Sequence, residues 1–290
     1  MVLPRGLPIV DHHCHLSPDG EGVRAAARFR AAGGTHLFLT TQNYARRPLT
    51  SIDGYREQFE TTEQLAHRVR TDTGVSVYPV VAPYPVDLVE AAPLLGLPAA
   101  LDLHRAALDL AGRWIRDRRA VALGEVGRPH FPVSEDLARA GDEAFGHALA
   151  VARDVGCPVI VHSADLDPEG YRRLADEASR AGVAGGKVVK HYARSRIAPA
   201  DARGVAPSYL ARREIVRHVL DDPAPWFFET DFLDDPQRKG AVLDLETIPR
   251  RARMIAESPE YGSERLWVPF VDSVERVYGW RPELSEREGK

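Results

Sequence analysis

Five short apolar segments of this chain end at a histidine or an acidic residue. They are rich in valine, isoleucine and phenylalanine, a composition typical of buried β-strands. The residues at their ends are His13 and His15, Glu125, His162, His191, and Asp231. Because the carboxyl ends of parallel barrel strands meet at one face, side chains more than a hundred positions apart are expected to form one cluster there. The pattern therefore predicts an α/β fold with a polar site at one end of its strands.

Strand-like and helix-like segments alternate along the whole chain, which predicts parallel βα units. Seven strands are predicted, at Leu7–His13, Thr35–Thr40, Val75–Val81, Ala120–Val126, Pro158–His162, Lys187–His191 and Pro225–Asp231. Helical spacing covers Gly22–Ala32, Tyr55–Thr71, Ala99–Arg118, Glu135–Val155, Glu169–Ala181 and Tyr209–Leu220. Eight units of about 36 residues favour a closed TIM (β/α)8 barrel over an open sheet. The eighth strand is irregular or missing, and its only candidates are Ala241–Leu245 and Arg265–Phe270.

Composition limits the other classes of protein that this chain could represent. Hydrophobic residues make up 44% and charged residues 28% of the 290 residues, which is ordinary for a globular protein. We expect one domain over residues 1–290, since no linker or repeat divides the chain. Two cysteines exclude a disulfide scaffold, and no glycine-rich phosphate loop follows a strand. The sequence contains neither a signal peptide nor a run of about 20 apolar residues, so we expect a cytoplasmic protein with no membrane partner.

Histidine and carboxylate side chains at the strand ends predict a metal centre. His13 and His15 are two residues apart, so an extended strand points both to one side, whereas His12 and Cys14 face the other side and are expected to pack in the core. Four histidines and two carboxylates are more ligands than one tetrahedral ion needs. We therefore predict two divalent ions with Glu125 as the bridging carboxylate. Zinc is the expected metal, with manganese, magnesium, iron and nickel as alternatives.

Five short motifs of this chain resemble those of TatD-type metal-dependent hydrolases, in the same order and over nearly the whole chain. Asp11–Leu16 is similar to the D-x-H-C-H-L opening of that family, and Gly124–Gly127 to its G-E-[IV]-G segment. His162 is followed by serine as in its H-S segment, His191 corresponds to its isolated second histidine, and Glu229–Asp231 matches its E-T-D. The chain from Glu229 onward is similar to an archaeal TatD-related branch of uncharacterised hydrolases.

The resemblance implies a TIM-barrel hydrolase of the amidohydrolase superfamily. By correspondence of motifs, one ion is held by His13, His15 and Asp231, the other by His162 and His191, and Glu125 bridges them. Asp231 is then also expected to act as the general base. Asp11 is expected to orient the ligands of the first strand without binding the metal itself.

Positions around these motifs bear on the substrate. Arg128 and His130 follow Glu125 in a loop on the same face, so we predict that they contact the substrate. The family often has Gly-x-His-Pro after its third strand, where this chain reads Val-Ala-Pro-Tyr at Val81–Tyr84, and an arginine after H-S, where it has Ala164. Tyr192 occupies a position where the family commonly has cysteine, and it is the third predicted substrate contact.

The predicted activity is hydrolysis of a phosphoester by water that two metal ions activate. The substrate is a small molecule or a nucleic-acid phosphodiester, although the net charge of −4 gives no support for a nucleic-acid surface. Amide, ester or lactone hydrolysis is the main alternative. A non-catalytic metal-binding protein and a phosphoesterase of the PHP type, which also opens with H-x-H, are further alternatives. The sequence does not determine the oligomeric state.

Overall fold

Nine parallel strand segments form one sheet in the computed structural model, which describes residues 3–235, 237–238 and 242–283. Each of the first seven segments pairs with the next along the chain. The segments are β1 (Val10–His15), β2 (His36–Thr40), β3 (Ser76–Val81), β4 (Ala122–Gly127), β5 (Val159–His162), β6 (Val188–Ala193), β7 (Ala206–Leu210), β8 (Phe227–Glu229) and β9 (Phe232–Leu233).

The sheet closes through a strand that is interrupted beside the predicted site. β8 pairs with β7, and β9 pairs in parallel with β1, where Cys14 lies opposite Phe232. Between β8 and β9, the Asp231 amide donates a hydrogen bond of 3.0 Å to the carbonyl of His13. β8 and β9 are therefore two parts of the eighth strand of the barrel. The predicted TIM barrel with an irregular eighth strand is confirmed.

The location predicted for the missing strand was wrong. The strand that the sequence did not reveal is β7, which reads Ala-Pro-Ser-Tyr-Leu and is fully buried. Proline and serine lower the strand propensity of this short segment, and barrel packing overrides that propensity. Ala241 lies outside the described residues, and 242–245 contain no strand. Arg265–Phe270 lies in a 3₁₀ turn followed by a π-helical turn instead.

Helices follow the strands and cover the barrel. They are α1 (Val23–Ala31), α2 (Ile52–Thr73), α3 (Pro85–Leu95), α4 (Leu97–Arg116), α5 (Glu135–Val155), α6 (Pro168–Arg180), α7 (Pro199–Ala202), α8 (Arg213–Val219), α9 (Thr247–Glu257) and α10 (Ser273–Tyr278). The predicted helix Tyr209–Leu220 begins only at Arg213, because its first residues belong to β7. None of the helices in the described ranges combines the length and apolar character needed to cross a bilayer.

Side chains of β1 alternate between the barrel site and the packed core, as the spacing predicts. His12 stacks on Phe227 at a ring-centroid distance of 3.8 Å, and its Nε2 lies 2.8 Å from the Tyr278 hydroxyl. Cys14 is fully buried, with its thiol directed at the Phe38 carbonyl. His12 and Cys14 are therefore packing residues, and the opposite face of β1 is left for His13 and His15.

Asp234 connects the loop after β1 to the loop after β9 through hydrogen bonds. Its buried carboxylate accepts hydrogen bonds from the amides of Ser17, Glu21 and Gly22, at 2.9, 2.8 and 2.7 Å. The ideal Cβ of any side chain at Gly20 would lie 2.2 Å from the Asp234 Oδ1, so only glycine fits there. This carboxylate fixes the chain on both sides of the site. One of the two loops follows His15 at the end of β1, and the other follows Leu233 at the end of β9.

Replacing Asp234 by alanine is expected to lower the free energy of unfolding by about 3 kcal/mol, since it leaves buried amides without an acceptor. The melting temperature should fall by about 5–10 °C for a chain of this size. Asp19→Ala, an exposed change in the same loop, is the control and should stay within about 0.5 kcal/mol of the wild type. Equal melting temperatures for both variants would contradict the structural role of Asp234.

Candidate metal centre

The two histidines of β1 direct the same ring nitrogen at the site. His15 Nδ1 lies 3.1 Å from the Thr40 carbonyl, which fixes the hydrogen on that nitrogen, and His13 Nδ1 lies 3.4 Å from the Thr40 hydroxyl. Both Nε2 atoms, 3.2 Å apart, therefore face the site. A hydrogen bond from the distal nitrogen to a carbonyl or hydroxyl is the usual way in which a ligating histidine is oriented.

A first group of potential ligand atoms surrounds these nitrogens. Glu125 Oε1 lies 2.7 Å from His13 Nε2 and 3.2 Å from His15 Nε2, and Asp231 Oδ1 lies 3.7 Å from both. Ligands of a tetrahedral ion at about 2.1 Å are separated by ~3.4 Å. The four atoms have this spacing on average, so the group fits one divalent ion.

A second group lies on the other side of Glu125. Glu125 Oε2 is 3.0 Å from His162 Nδ1 and 3.7 Å from His191 Nε2, and these two nitrogens are 2.9 Å apart. Each oxygen of the Glu125 carboxylate therefore faces a different group of ligand atoms. The structure brings all six predicted ligand residues into one cluster, from four strands and the break in the eighth.

The charges of this buried cluster require compensation. Burial would raise the pKa of Glu125, but the charge of His191 and hydrogen bonds from His13 and His15 hold it well below its usual range. Burial would lower the pKa of His15, but hydrogen bonds with Asp231 and Glu125 raise it to about 10. The carboxylates thus stabilise a positive charge in the centre, which an extra proton or a metal ion can supply. This donor set fits a divalent cation.

Asp11 connects β1 to the break in the eighth strand. Its Oδ1 accepts hydrogen bonds from the amides of His13 and Thr230, at 3.2 and 3.0 Å, and its Oδ2 accepts one from the Thr230 hydroxyl at 2.5 Å. Burial raises the pKa of Asp11 to about 7, against the effect of these hydrogen bonds. The contacts fix the backbone of Thr230, directly before Asp231, which has a left-handed φ of 49°. Its predicted role in orienting the ligands agrees with this geometry and stays a prediction.

Two further buried residues support His191, and sequence reasoning gave neither of them a role. Glu229 Oε1 accepts a hydrogen bond from the Tyr192 amide at 2.6 Å and lies 3.6 Å from His191 Nδ1. Lys190 Nζ contacts the carbonyls of Ser163 and His191, at 3.4 and 2.5 Å. The sequence could have indicated a role for Glu229, because this residue belongs to the E-T-D motif. The indication for Lys190 was weaker, namely a charged residue within an apolar strand.

A cavity of about 620 Å³ opens above the cluster. Its polar and charged lining outside the six predicted ligands comes from the loops that follow the strands, from the first turns of α3 and from the end of β6: Thr41, Gln42, Asn43, Tyr84, Asp87, Glu90, His130, Ser163, Asp165, Tyr192, Arg194 and Arg238. Two of the three predicted substrate contacts, His130 and Tyr192, are among them. Tyr192, like Asp231, has a left-handed backbone conformation, with a φ of 58°.

Arg128 does not line the cavity, and the expectation that it contacts the substrate is corrected. Its guanidinium lies 2.6 Å from Asp142 of α5 and 3.2 Å from Glu177 of α6, and packs over the ring of Phe145. These partners hold the side chain against the helices outside the barrel.

Tyr84 and His130 share one ligand histidine. Tyr84 Oη lies 3.1 Å and His130 Nδ1 lies 2.9 Å from His162 Nε2. Tyr84 follows β3, the place where the sequence lacks the histidine of related chains. The loops after β3 and β4 thus cover the nitrogen of His162 that faces away from Glu125.

Comparisons with known proteins agree with this fold and this site. The sequence profile described as TatD related DNase matches residues 10–279. The uncharacterized protein MJ1127 of Methanocaldococcus jannaschii is 28% identical over 288 residues, which cover 98% of this chain and all of that protein.

Two solved structures share the fold of this chain. The TatD-like protein AF1765 of Archaeoglobus fulgidus has a TM-score of 0.63 at 12% identity, with 93% of this chain and all of that chain covered. The TatD homolog YJJV of Escherichia coli K12 has a TM-score of 0.57 at 18% identity, with 94% and 98% covered. Because the profile covers nearly the whole chain, this protein belongs to the TatD-related DNase family of metal-dependent hydrolases.

Proposed function

We propose that this protein hydrolyses a phosphoester bond in a small molecule with two divalent metal ions. The observation that carries the proposal is the position of Glu125, whose two oxygens face two separate groups of ligand atoms. One carboxylate placed between two sets of histidines is the arrangement that a bridging ligand requires. The cytoplasmic location expected from the sequence belongs to the same proposal.

The ligand assignment follows the distances. His13, His15 and Asp231 would hold one ion, His162 and His191 the other, and Glu125 both. Imidazole and carboxylate ligands at tetrahedral spacing favour zinc, with manganese, magnesium, iron and nickel as the alternatives. Divalent ions bound here would lower the pKa of water and stabilise the negative charge that develops on the phosphoryl oxygens.

Asp231 is the proposed general base. It lines the cavity, and its Oδ1 lies beside the Nε2 atoms of His13 and His15. Its carboxylate accepts a proton from the water molecule as the water oxygen forms a bond to phosphorus. When the bond from phosphorus to the leaving oxygen breaks, the protonated Asp231 returns this proton to that oxygen. Every atom and charge of the hydrolysis is then accounted for.

The size of the cavity favours a small substrate. A volume of about 620 Å³ lies within the range of roughly 300–1,000 Å³ typical of small-molecule sites. The net charge of −4 does not provide the extended basic surface on which a long nucleic acid would lie. A phosphorylated metabolite or a short phosphodiester therefore suits the site better than duplex DNA.

Metal titration combined with a substrate panel tests the proposal. The chain is stripped with a chelator, and Zn²⁺ or Mn²⁺ is added back in steps while bound metal and hydrolysis are measured. The panel contains p-nitrophenyl phosphate, bis(p-nitrophenyl) phosphate, a γ-lactone and a p-nitroanilide. We expect activity to require a second equivalent of metal and to be highest on a phosphoester.

Other results would replace parts of the proposal. Full activity with one equivalent would contradict the two-ion site. Faster hydrolysis of the lactone or the anilide would move the substrate to that class. Bound metal without turnover of any probe would support a non-catalytic metal-binding protein. Tight, salt-sensitive binding of DNA would favour a nucleic-acid substrate.

A further inference from the structure

Arg238 is a cation of the cavity for which the described residues provide no acidic partner. Among these residues, two arginines line the cavity, Arg194 and Arg238. Arg194 Nε lies 3.7 Å from Asp165 Oδ2, so its charge is balanced within the wall. Arg238 forms no ion pair with any residue in the described part of the chain, and its own amide is held in a turn by the Asp235 carbonyl. A guanidinium in this position is available to an anion that enters the cavity.

Arg238 shares the cavity with the two side chains that contact His162 Nε2. Tyr84, His130 and Arg238 all line it, together with His162 itself. Tyr84 and His130 both contact His162 Nε2, so the polar groups of all three side chains border the space beside His162.

Tyr84 and His130 can offer hydrogen-bond donors to the same place. His162 directs Nδ1 at Glu125, so a neutral ring that uses Nδ1 as a ligand carries its hydrogen on Nε2. That hydrogen points at the Tyr84 oxygen and at His130 Nδ1, both of which can accept it. Tyr84 then keeps its own hydroxyl hydrogen, and neutral His130 keeps a hydrogen on Nε2. Both remaining donors, like the guanidinium of Arg238, lack an acceptor in the described structure.

We propose that Arg238, Tyr84 and His130 form an anion subsite beside His162, and that it selects substrates with a charged phosphoryl group over neutral esters, lactones and amides. The proposal rests on the proposed function, because it names the substrate class of the same centre. Guanidinium binds phosphate oxygens through paired hydrogen bonds, and a phenol adds a neutral donor. The carboxylates of Glu90 and Asp165, which also line the cavity, disfavour a polyanion and restrict the substrate to few charges.

Arg238→Met and Arg194→Met form the matched pair that tests the subsite, because both arginines line the cavity and, within the described ranges, Arg194 has an acidic partner while Arg238 has none. We measure kcat/KM for p-nitrophenyl phosphate and for p-nitrophenyl acetate, which share a leaving group and differ in charge. Arg238→Met is expected to lower the value for the phosphate about 10- to 100-fold and for the acetate less than about 2-fold, as loss of a charge-assisted hydrogen bond predicts. Arg194→Met should change the phosphate value less than about 3-fold, and Arg238→Lys should recover part of it.

Equal losses on both esters, or equal losses in the two methionine variants, would overturn the subsite. Metal content and circular dichroism are measured for every variant. Because Arg238 is exposed, we expect both to match the wild type.

Calorimetric titration with inorganic phosphate separates this proposal from the proposed function. About 10-fold weaker phosphate binding in Arg238→Met supports the subsite even if no ester is hydrolysed, and in that case only the hydrolytic function fails. Unchanged phosphate affinity in Arg238→Met would overturn the subsite even if the wild type hydrolyses phosphoesters.

Discussion

Replacing His13 and His15 together by alanine is expected to remove metal from the centre and to lower kcat/KM by about 10³-fold or more. The two Nε2 atoms provide half of the ligand atoms in the first group and lie 2.7 and 3.2 Å from Glu125 Oε1. Without them the first group keeps only the oxygens of Glu125 and Asp231. Catalytic ions stabilise developing charge by several kcal/mol, so loss of an ion costs several powers of ten in rate.

Elemental analysis and steady-state kinetics on the same preparation check this prediction. The control is His67→Ala combined with His147→Ala, which removes the same number of histidines from helices α2 and α5, away from the cavity. The control should keep the metal content of the wild type and activity within about 2-fold. If the His13 and His15 double variant retained both its metal and its hydrolysis, the assignment of the centre to β1 would be wrong.

The six residues of the candidate centre could be predicted from the sequence because their positions depend on local periodicity and on one rule of the fold. Alternation along an extended strand places His13 and His15 on one side, and parallel barrel strands bring Glu125, His162 and His191 to the same end. Asp231 was found in the same way, although the left-handed turn that holds it between two short strands was not foreseen.

The errors concern segments whose structure is decided by distant partners. β7 contains Pro207 and reads as a loop, yet the hydrogen bonds of β6 and β8 on both sides make it a strand. Arg128 is three residues from Glu125 in sequence, but Asp142 and Glu177 hold it on the outer helices. Arg238 reaches the cavity from the loop after β9, and nothing in its local sequence indicates that position.

Replacing Asp231 by asparagine is expected to lower kcat about 10²- to 10⁴-fold while most of the metal stays bound. Asparagine keeps an oxygen at the position of Oδ1, which lies 3.7 Å from the Nε2 atoms of both β1 histidines, so one ligand atom is retained. It cannot accept the proton of the attacking water, and general-base catalysis contributes a factor of this size. Asp53→Asn, which removes an exposed carboxylate of α2 outside the cavity, is the control and should stay within about 2-fold of the wild type.

Substrates with different leaving groups test whether Asp231 acts as a general base or only as a metal ligand. p-Nitrophenolate departs without a proton, whereas an alkoxide must receive one, and we propose that Asp231 returns it. The loss of kcat in Asp231→Asn should therefore be larger for an alkyl phosphate than for p-nitrophenyl phosphate, by about 10-fold or more. Equal losses on the two substrates, together with a fall in bound metal, would mean that Asp231 acts only as a ligand. The proton would then have to travel through another group of the cavity, and His130 and Tyr84, beside His162, would be the next to replace.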